Sequence, residues 1–337
     1  MPVDLTIAIW SALACGAATF LVTPKLARAL ANSGVLDIPG PRSSHAAAVP
    51  RGGGMAIVFP LAIAWAVINF IVEADAFVWC TWIGFVLLSA VSWCDDLRPQ
   101  PVALRVFVQA LAITLPLAAL PAEHRLLQDG LPLVVERAGI ALAWMWFVNT
   151  MNFMDGLDGL AAGQSVTAAA GAFAILAILA PVAYHAAALP VAAAIAASAL
   201  AFLPFNWPPA RVFLGDTGSA PLGYGIGWLL LLLALAGQSE AAMILPLYFL
   251  CDATGTLIAR LVRGERITQA HSEHLYQRAR RAGKSHTWIT TRTFVANALL
   301  AGAAISSLYR PMEALAAAAV IMIALVLSLA IVSRKRR

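Results

Sequence analysis

Acidic and histidine side chains gather where hydrophobic segments of this chain end. They form four groups, which are Asp95 with Asp96, Asp155 with Asp158, Asp216, and one loop with His271, Glu273 and His274. Carboxylates are costly inside lipid, but at the mouth of a helix bundle they offer hard oxygen ligands to a divalent cation. Because such a cation binds phosphate groups, these residues predict phosphate chemistry at one face of a membrane.

The composition places the elements that carry these residues in a bilayer. Of the 337 residues, 61% are hydrophobic and 12% are charged, whereas charged residues make up about a quarter of a soluble protein. A helix needs about 20 apolar residues to cross the hydrocarbon. The sequence predicts an all-α polytopic membrane protein with eleven spans, at 4–23, 53–72, 77–94, 102–120, 131–149, 159–181, 183–203, 218–236, 241–260, 288–308 and 312–332.

Basic residues predict the orientation of these spans, because Lys and Arg near span ends stay cytoplasmic. Apart from Arg125, Arg137, Arg292 and Arg310, every Lys and Arg follows an odd-numbered span. We therefore expect the N-terminus outside and the C-terminus in the cytoplasm, with the first span retained because no basic segment precedes it. The cytoplasmic loops with the active site are expected at 24–52, 95–101, 149–159, 204–217 and 261–287.

The net charge of +5 and the four cysteines exclude other classes of partner and site. Topology already explains the basic residues, so no nucleic-acid partner is expected. The cysteines are scattered singly through apolar stretches without a CxxC pair, which argues against a zinc or disulfide framework.

The segment 149–158 combines amides and carboxylates at helical spacing. Asn149, Asn152 and Asp155 recur every three residues, and Asp158 continues the spacing through glycines that let a ligand approach the backbone. A calcium loop is an alternative, but the EF-hand pattern and its terminal Glu are missing. The adjacent Asp95 and Asp96 repel each other and so favour a bound cation, although a solvated pair at a span end is the simpler alternative.

Two further segments offer groups to a phosphate. Residues 213–219 start the eighth span, where a helix N-terminus supplies donors and Asp216 a hard oxygen for magnesium. His271 and His274 lie three apart without a Glu after the first His, so the zinc motif HExxH is disfavoured. A positive-inside loop would explain the charge of Arg51, but not the three glycines that follow it.

Five motifs occur in a specific order. They are Asp37-x-Pro39-x-x-Arg42-x-x-His45 with Pro50-Arg-Gly-Gly-Gly54, Asp95-Asp96, Asn149-x-x-Asn152-Phe-Met-Asp155-Gly-Leu-Asp158-Gly, Phe213-Leu-Gly-Asp216-Thr-Gly-Ser219 and His271-x-x-His274-x-Tyr-Gln277. Over nearly the whole chain, this series resembles the polyprenyl-phosphate N-acetylhexosamine-1-phosphate transferases of glycosyltransferase family 4. That superfamily includes the muramoyl-pentapeptide transferase of peptidoglycan synthesis and the enzymes that initiate common antigen and O-antigen.

The resemblance implies a reaction and its participants. A UDP-N-acetylhexosamine would give its sugar 1-phosphate to undecaprenyl phosphate and release UMP, with Mg²⁺, or Mn²⁺ as a substitute, neutralising the phosphates. The chain would form one integral-membrane domain over 1–337 in the bacterial inner membrane, with the active site on the cytoplasmic face. Membrane lipid surrounds such an enzyme, and the resemblance leaves a homodimer open.

The resemblance also implies roles for particular residues. Asp216 and Asn152 would be metal ligands, Asp95 would bind or deprotonate the lipid phosphate, and Asp96 would support it, so the catalytic set is Asp95, Asp96 and Asp216. Asp155 and Asp158 would shape the nucleotide pocket, with the Gly156-Leu157 backbone near the uracil. The remaining residues expected to bind substrate are Arg42, His45, Arg51, Asn149, His271, His274 and Gln277. A phosphate monoester is mostly ionised at pH 7, which favours positioning over proton abstraction by Asp95.

One departure bears on the sugar. Muramoyl-pentapeptide enzymes carry consecutive histidines in the last large loop, whereas His271 and His274 are separated here, as in the O-antigen-initiating branch. We therefore expect UDP-N-acetylglucosamine or a 6-deoxy relative as donor, such as the N-acetylfucosamine or N-acetylquinovosamine derivative. Arg98 stands where relatives often carry Lys. The alternatives are a muramoyl-pentapeptide phosphotransferase, a secondary transporter with membrane carboxylates, and a non-catalytic scaffold.

Overall fold

The computed structural model describes residues 3–39, 48–127, 130–179, 186–266, 269 and 271–334. Over these residues the chain is almost entirely helical. The helices are α1 Val3–Asn32, α2 Met55–Ile71, α3 Ala76–Leu97, α4 Val102–Ala119, α5 Leu133–Phe153, α6 Leu160–Ile178, α7 Ala188–Asn206, α8 Asp216–Leu235, α9 Ser239–Ile244, α10 Leu247–Val262, α11 Leu275–Arg281, α12 His286–Ser306 and α13 Pro311–Arg334. A short antiparallel ladder pairs β1 Leu36–Asp37 with β2 Val49–Pro50.

Seven of the described helices are long and apolar enough to cross a membrane. They are α1, α3, α4, α6, α7, α8 and α13, and the whole is an all-α polytopic membrane protein. The other expected spans are also helical, but α2 has only 17 residues, and α5 and α12 carry more polar side chains. The helices therefore follow the predicted stretches, while length and hydropathy identify seven spans.

The ninth predicted span, 241–260, is not one helix. It divides into α9, which ends at Ile244, and α10, which begins at Leu247. The cause is Pro246, which has no backbone N–H and whose ring clashes with the preceding turn. The Leu245 carbonyl at the break accepts a 3.0 Å hydrogen bond from the side-chain amide of Gln164 in α6, so the interruption leaves this buried carbonyl satisfied.

Several helices continue beyond the predicted span ends. Helix α1 runs through Pro24 to Asn32, so the loop expected at 24–52 is shorter than predicted. The loop expected at 261–287 contains a helix of its own, α11. Span prediction follows hydropathy alone, whereas a helix can extend past the lipid when water or protein satisfies its polar face.

Helix α8 lies at the centre of the bundle, in contact with α2, α3, α5, α6 and α7. Glycines allow this close packing, because a Cβ at Gly227 would lie only 2.5 Å from the Trp144 ring. The indole of Trp144 in turn donates a 3.0 Å hydrogen bond to the Tyr224 carbonyl. Since α8 begins at Asp216, its packing places this carboxylate in the middle of one end of the bundle.

Candidate functional site

Helix termini distant in sequence meet around Asp216. Asp95 and Asp96 lie in the last turn of α3, and Asn152 lies in the last turn of α5. Arg105 stands in the first turn of α4, just after Pro101. Because all these termini face the same end of the bundle, their polar groups satisfy one another there and not in the apolar middle.

The carboxylate of Asp96, in α3, caps the N-terminus of α8. This carboxylate accepts hydrogen bonds from the Thr217 backbone N–H at 2.9 Å, the Thr217 hydroxyl at 2.6 Å and the Asp216 N–H at 3.2 Å. It also lies 3.3 Å from Nε of Arg51, and its side chain is only 2% exposed. The sequence predicts that the N–H groups at the start of α8 bind a phosphate. In the structure the N–H groups of Asp216 and Thr217 donate to Asp96 instead.

The three glycines after Arg51 explain how the first polar loop reaches this end of α8. The backbone N–H groups of Gly53 and Gly54 donate to the carbonyls of Phe213 and Leu214 at 2.9 and 2.8 Å. A Cβ at Gly54 would lie 2.3 Å from Gly218, so no larger residue fits. Arg51 is thereby held with Nη2 2.8 Å from the Asp96 carbonyl.

Arg105 bridges two carboxylates. Its Nη1 lies 2.9 Å from Asp95 Oδ2 and 3.3 Å from Asp216 Oδ2. The second oxygen of each carboxylate is also engaged, since Asp95 Oδ1 accepts from the Gln100 N–H at 2.6 Å and Asp216 Oδ1 accepts from Asn152 Nδ2 at 2.9 Å. The centre of the site is thus a pair of carboxylates held by two amides and one shared guanidinium.

The loop between α5 and α6 contributes Asp155 and Asp158 in different ways. Burial, and then the negative charges of Asp216 and Asp96, raise the pKa of the Asp155 carboxyl well above its ordinary value. Burial also acts to raise the pKa of Asp158, but hydrogen bonds from His286 and the Ala210 N–H outweigh it and lower the pKa. Both Asp158 oxygens are used, 3.0 Å from His286 Nδ1 and 3.0 Å from the Ala210 nitrogen.

The loop before α12 places its aromatic and histidine side chains over Phe153. His274 stands at the N-cap of α11, and its backbone N–H donates to Gln277 Oε1 at 3.2 Å. The Tyr276 hydroxyl donates to the Phe153 carbonyl at 3.0 Å, and a Cβ at Gly156 would lie 2.4 Å from it. Burial, and then the positive charges of His274 and Arg260, lower the pKa of His271.

Two cavities adjoin this centre and share part of their lining. The loop cavity, of about 340 Å³, is lined by Asp37, Arg51, Asn152, Phe153, Asp155, Gly156, Leu157, Asp158, Asn206, Phe213, Leu214, Gly215, Asp216, Tyr276 and Gln277. The helix cavity, of about 510 Å³, is lined by Leu88, Val91, Ser92, Val102, Arg105, Val106, Gln109, Asn149, Asn152, Phe153, Asp216, Ala220, Leu257, Gln269, His271, His274 and Gln277. Asn152, Phe153, Asp216 and Gln277 line both, so two ligands could meet at this wall.

The donors at the centre suit a magnesium or manganese ion that is shared with a phosphate. Among the described residues, no three Asp, Glu, His or Cys side chains form a metal-binding group. Mg²⁺ is, however, usually held by one or two carboxylates together with substrate phosphates and water. The guanidinium of Arg105 already occupies a cation position between Asp95 and Asp216. The oxygen-rich donor set therefore fits Mg²⁺ in this mode, with Asp216 and Oδ1 of Asn152 available as ligands.

The structure brings together most of the residues that the sequence singled out. Around Asp216 lie Asp95, Asp96, Asn152 and Asp155, and the cavity walls include Arg51, Asn149, Gly156, Leu157, Asp158, His271, His274 and Gln277. Arg42 and His45 lie outside the described residues. Sequence reasoning missed Arg105, Asn206 and His286. Asn206 ties two loops together, since its Oδ1 accepts from the Gly159 N–H and its Nδ2 donates to the Val212 carbonyl, both at 3.0 Å.

Comparison with known proteins places the chain among sugar-phosphate transferases. The profile of glycosyl transferase family 4 matches residues 78–234. A probable undecaprenyl-phosphate N-acetylglucosaminyl 1-phosphate transferase of Bacillus subtilis is 28% identical over 281 residues, covering 79% of this chain and 75% of that protein. The phospho-N-acetylmuramoyl-pentapeptide-transferase of Listeria innocua is 30% identical over 236 residues, covering 61% of this chain and 70% of that protein.

Proposed function

This chain belongs to glycosyl transferase family 4, and we propose that it transfers an N-acetylhexosamine 1-phosphate from a UDP-sugar to undecaprenyl phosphate. The products are UMP and a lipid-linked diphospho-sugar, the first intermediate of a cell-surface polysaccharide of the O-antigen type. The family supports the reaction class, and the name of the Bacillus relative supports the lipid acceptor.

The observation that carries the proposal is the wall shared by the two cavities. The loop cavity has the size of a small-molecule site and polar loops suited to a nucleotide. The helix cavity has apolar walls from membrane-crossing helices, including Leu88, Val102 and Val106, which suit a polyprenyl chain. Asp216 and Asn152 face both spaces, so a donor diphosphate and an acceptor phosphate would meet there.

The reaction follows from this placement. An oxygen of the lipid phosphate attacks the sugar-linked phosphorus of the UDP-sugar, and the bond from that phosphorus to the bridging oxygen breaks, so that oxygen leaves with UMP. Asp95 positions the acceptor phosphate. Asp216 and Asn152 would hold a magnesium ion, which when bound neutralises charge as the phosphoryl group passes between two anions.

The nucleotide would occupy the loop cavity. The backbone at Gly156 and Leu157 offers a close approach to the uracil, and Asp155 faces the same space. Asp158 acts on the shape of this loop, because His286 and Ala210 already engage its two oxygens. Arg51, His271 and His274 stand near the centre as groups for the diphosphate and sugar, and Arg42 and His45 are proposed for the same task. Asn149 and Gln277 complete the substrate-binding set.

The basic residues support an orientation in the bacterial inner membrane. We assign eleven crossings, with the ninth broken at Pro246, the N-terminus outside and the C-terminus in the cytoplasm. The site then faces the cytoplasm, where nucleotide sugars are made. We propose a single domain over 1–337, with the site formed at the segments that follow α1, α3, α5, α7 and α10.

The separated His271 and His274 support a plain or 6-deoxy N-acetylhexosamine, and the Bacillus relative makes N-acetylglucosamine the first choice. A muramoyl-pentapeptide donor is the second candidate, because relatives from Listeria and Chlamydia carry that name. Discrimination would depend on which sugar groups the site hydrogen-bonds.

A panel of donors tests the proposal directly. Purified protein with undecaprenyl phosphate and Mg²⁺ should release UMP from UDP-N-acetylglucosamine or a 6-deoxy analogue, and release should stop when the lipid is omitted. Preference for the muramoyl-pentapeptide donor would overturn the sugar assignment alone. Failure of every donor, together with uptake of a solute by reconstituted vesicles, would favour a transporter.

A further inference from the structure

Arg105 donates to one carboxylate oxygen of Asp95 and one of Asp216, and other groups bond to the second oxygen of each. Asp95 Oδ1 accepts from the Gln100 N–H and Asp216 Oδ1 accepts from Asn152 Nδ2, while Oδ2 of each accepts from Arg105 Nη1. The side chain of Arg105 is 35% exposed and lines the helix cavity. Water and small ions can therefore reach this guanidinium without opening the core.

A divalent cation bound to Asp216 would share this space with Arg105. The side chain of Asp216 is 32% exposed, and repulsion between two positive charges about 4 Å apart costs about 1 kcal/mol where water screens them, which is a factor of about five in affinity. The same guanidinium can instead bind phosphate oxygens with two parallel hydrogen bonds. Arg105 thus has two alternative anionic partners, the carboxylates and a phosphate.

We infer that Arg105 is a resident counter-cation that competes with the divalent cation for Asp216 and Asp95. In the substrate-free protein, Arg105 keeps the affinity for the cation low. The inference rests on the proposed function for the identity of the cation, and it adds that an arginine beside the site opposes cation binding until an anionic substrate attracts it. Removal of this basic side chain should therefore strengthen cation binding.

The test measures Mn²⁺ binding to substrate-free protein, through the electron paramagnetic resonance signal of free Mn²⁺. Arg105→Gln should bind Mn²⁺ about fivefold more tightly than wild type, whereas Arg105→Lys, which keeps the charge, should bind as wild type does. Arg98→Gln is the matched control, because Arg98 is an exposed arginine in the turn that links α3 to α4, just before the helix that carries Arg105. Asp216→Asn should abolish the binding and so identify the site.

Unchanged or weaker Mn²⁺ binding in Arg105→Gln would overturn the inference. A second measurement uses wild type alone and so does not depend on how a variant folds. Phenylglyoxal modification of Arg105, followed by mass spectrometry, should accelerate when Mn²⁺ is added, because the guanidinium is released; a constant or slower rate would also overturn it. Neither measurement needs turnover, so failure of the transferase proposal would appear separately in the donor panel.

Discussion

The carboxylate of Asp252 accepts a 2.8 Å hydrogen bond from the backbone N–H of Leu275, the first residue of α11. It also accepts from the Tyr276 N–H at 3.4 Å and from the Tyr248 hydroxyl at 3.1 Å. A buried acid in α10 thereby fixes the start of the short helix that carries Tyr276 and Gln277. The wall shared by the two cavities depends on this attachment.

Asp252→Asn removes the charge and nearly preserves the shape. A charge-assisted hydrogen bond is worth about 1.5 to 3 kcal/mol, so α11 should loosen, trypsin should cleave after Arg278 or Arg281 faster, and sugar transfer should fall about tenfold. Thr256→Val is the control, because it removes only a 3.3 Å contact with the same carboxylate. Wild-type protection of α11 in Asp252→Asn would contradict this prediction.

Asp216→Ala and Asp96→Ala should fail for different reasons. Loss of an electrostatic group that acts on the transition state costs on the order of a hundredfold in turnover, so Asp216→Ala should fold normally and turn over slowly. Asp96→Ala leaves the three donors at the start of α8 without their acceptor and removes the ion pair with Arg51, at a cost of about 3 kcal/mol or more. Its melting temperature should therefore fall with its activity. Equal melting temperatures for the two variants would count against the cap on α8.

The lowered pKa of His271 predicts a loss of stability in acid. Its ordinary value is 6.5, and burial with the charges of His274 and Arg260 brings it below this value. Between the two values the unfolded chain binds more protons, so stability that is present above pH 6.5 falls as the pH decreases through that window. Melting temperatures at about pH 7.5 and about pH 5.5 should differ more for wild type than for His271→Gln. Equal differences would exclude this contribution.

Chelation should abolish transfer, because two anions must approach each other at the site. EDTA-treated protein should recover with Mg²⁺ or Mn²⁺, which prefer the oxygen donors here, and recover poorly with Zn²⁺. The measurement is UMP release at saturating donor and lipid. Full activity in metal-free protein would remove the cation from the proposal and leave Arg105 and Arg51 to neutralise the phosphates.

Labelling of intact cells tests the proposed orientation in the membrane. A cysteine at Leu127, which is 56% exposed, should react with a membrane-impermeant maleimide when the native cysteines are replaced. Leu127 is a better position than its neighbours, because Arg125 and Leu126 donate hydrogen bonds to Glu136 that a substitution there would disturb. A reporter fused after Arg337 should be cytoplasmic. Labelling at Leu127 only after lysis would invert the topology.

The sequence was sufficient to find the polar ends of the bundle. Asp95, Asp155 and Asp216 each stand at a span end, and hydropathy places span ends well because lipid tolerates few polar groups. Nothing local shows that Asp96 caps α8, since Thr217 is 121 residues away. Such pairings depend on which helices pack together.

Two kinds of residue inside the predicted spans indicate features that hydropathy alone does not predict. Arg105 and Asp252 lie within stretches assigned to the membrane, where an ionisable residue needs a partner and usually has a role. Pro246 lay in the middle of a predicted span and indicated the break between α9 and α10. The reach of α11 over Phe153 had no comparable signal.

The cap on α8 has a consequence for how the protein is made. As the ribosome delivers the helices in order, Asp96 and Arg51 are synthesised long before the amides of Asp216 and Thr217 exist. Until α8 is made, the Asp96 carboxylate lacks these donors, and only Arg51 and water are present to stabilise its charge. A chain that stops short of Asp216 would therefore keep a carboxylate at the end of α3 without the hydrogen bonds that satisfy it in the folded protein.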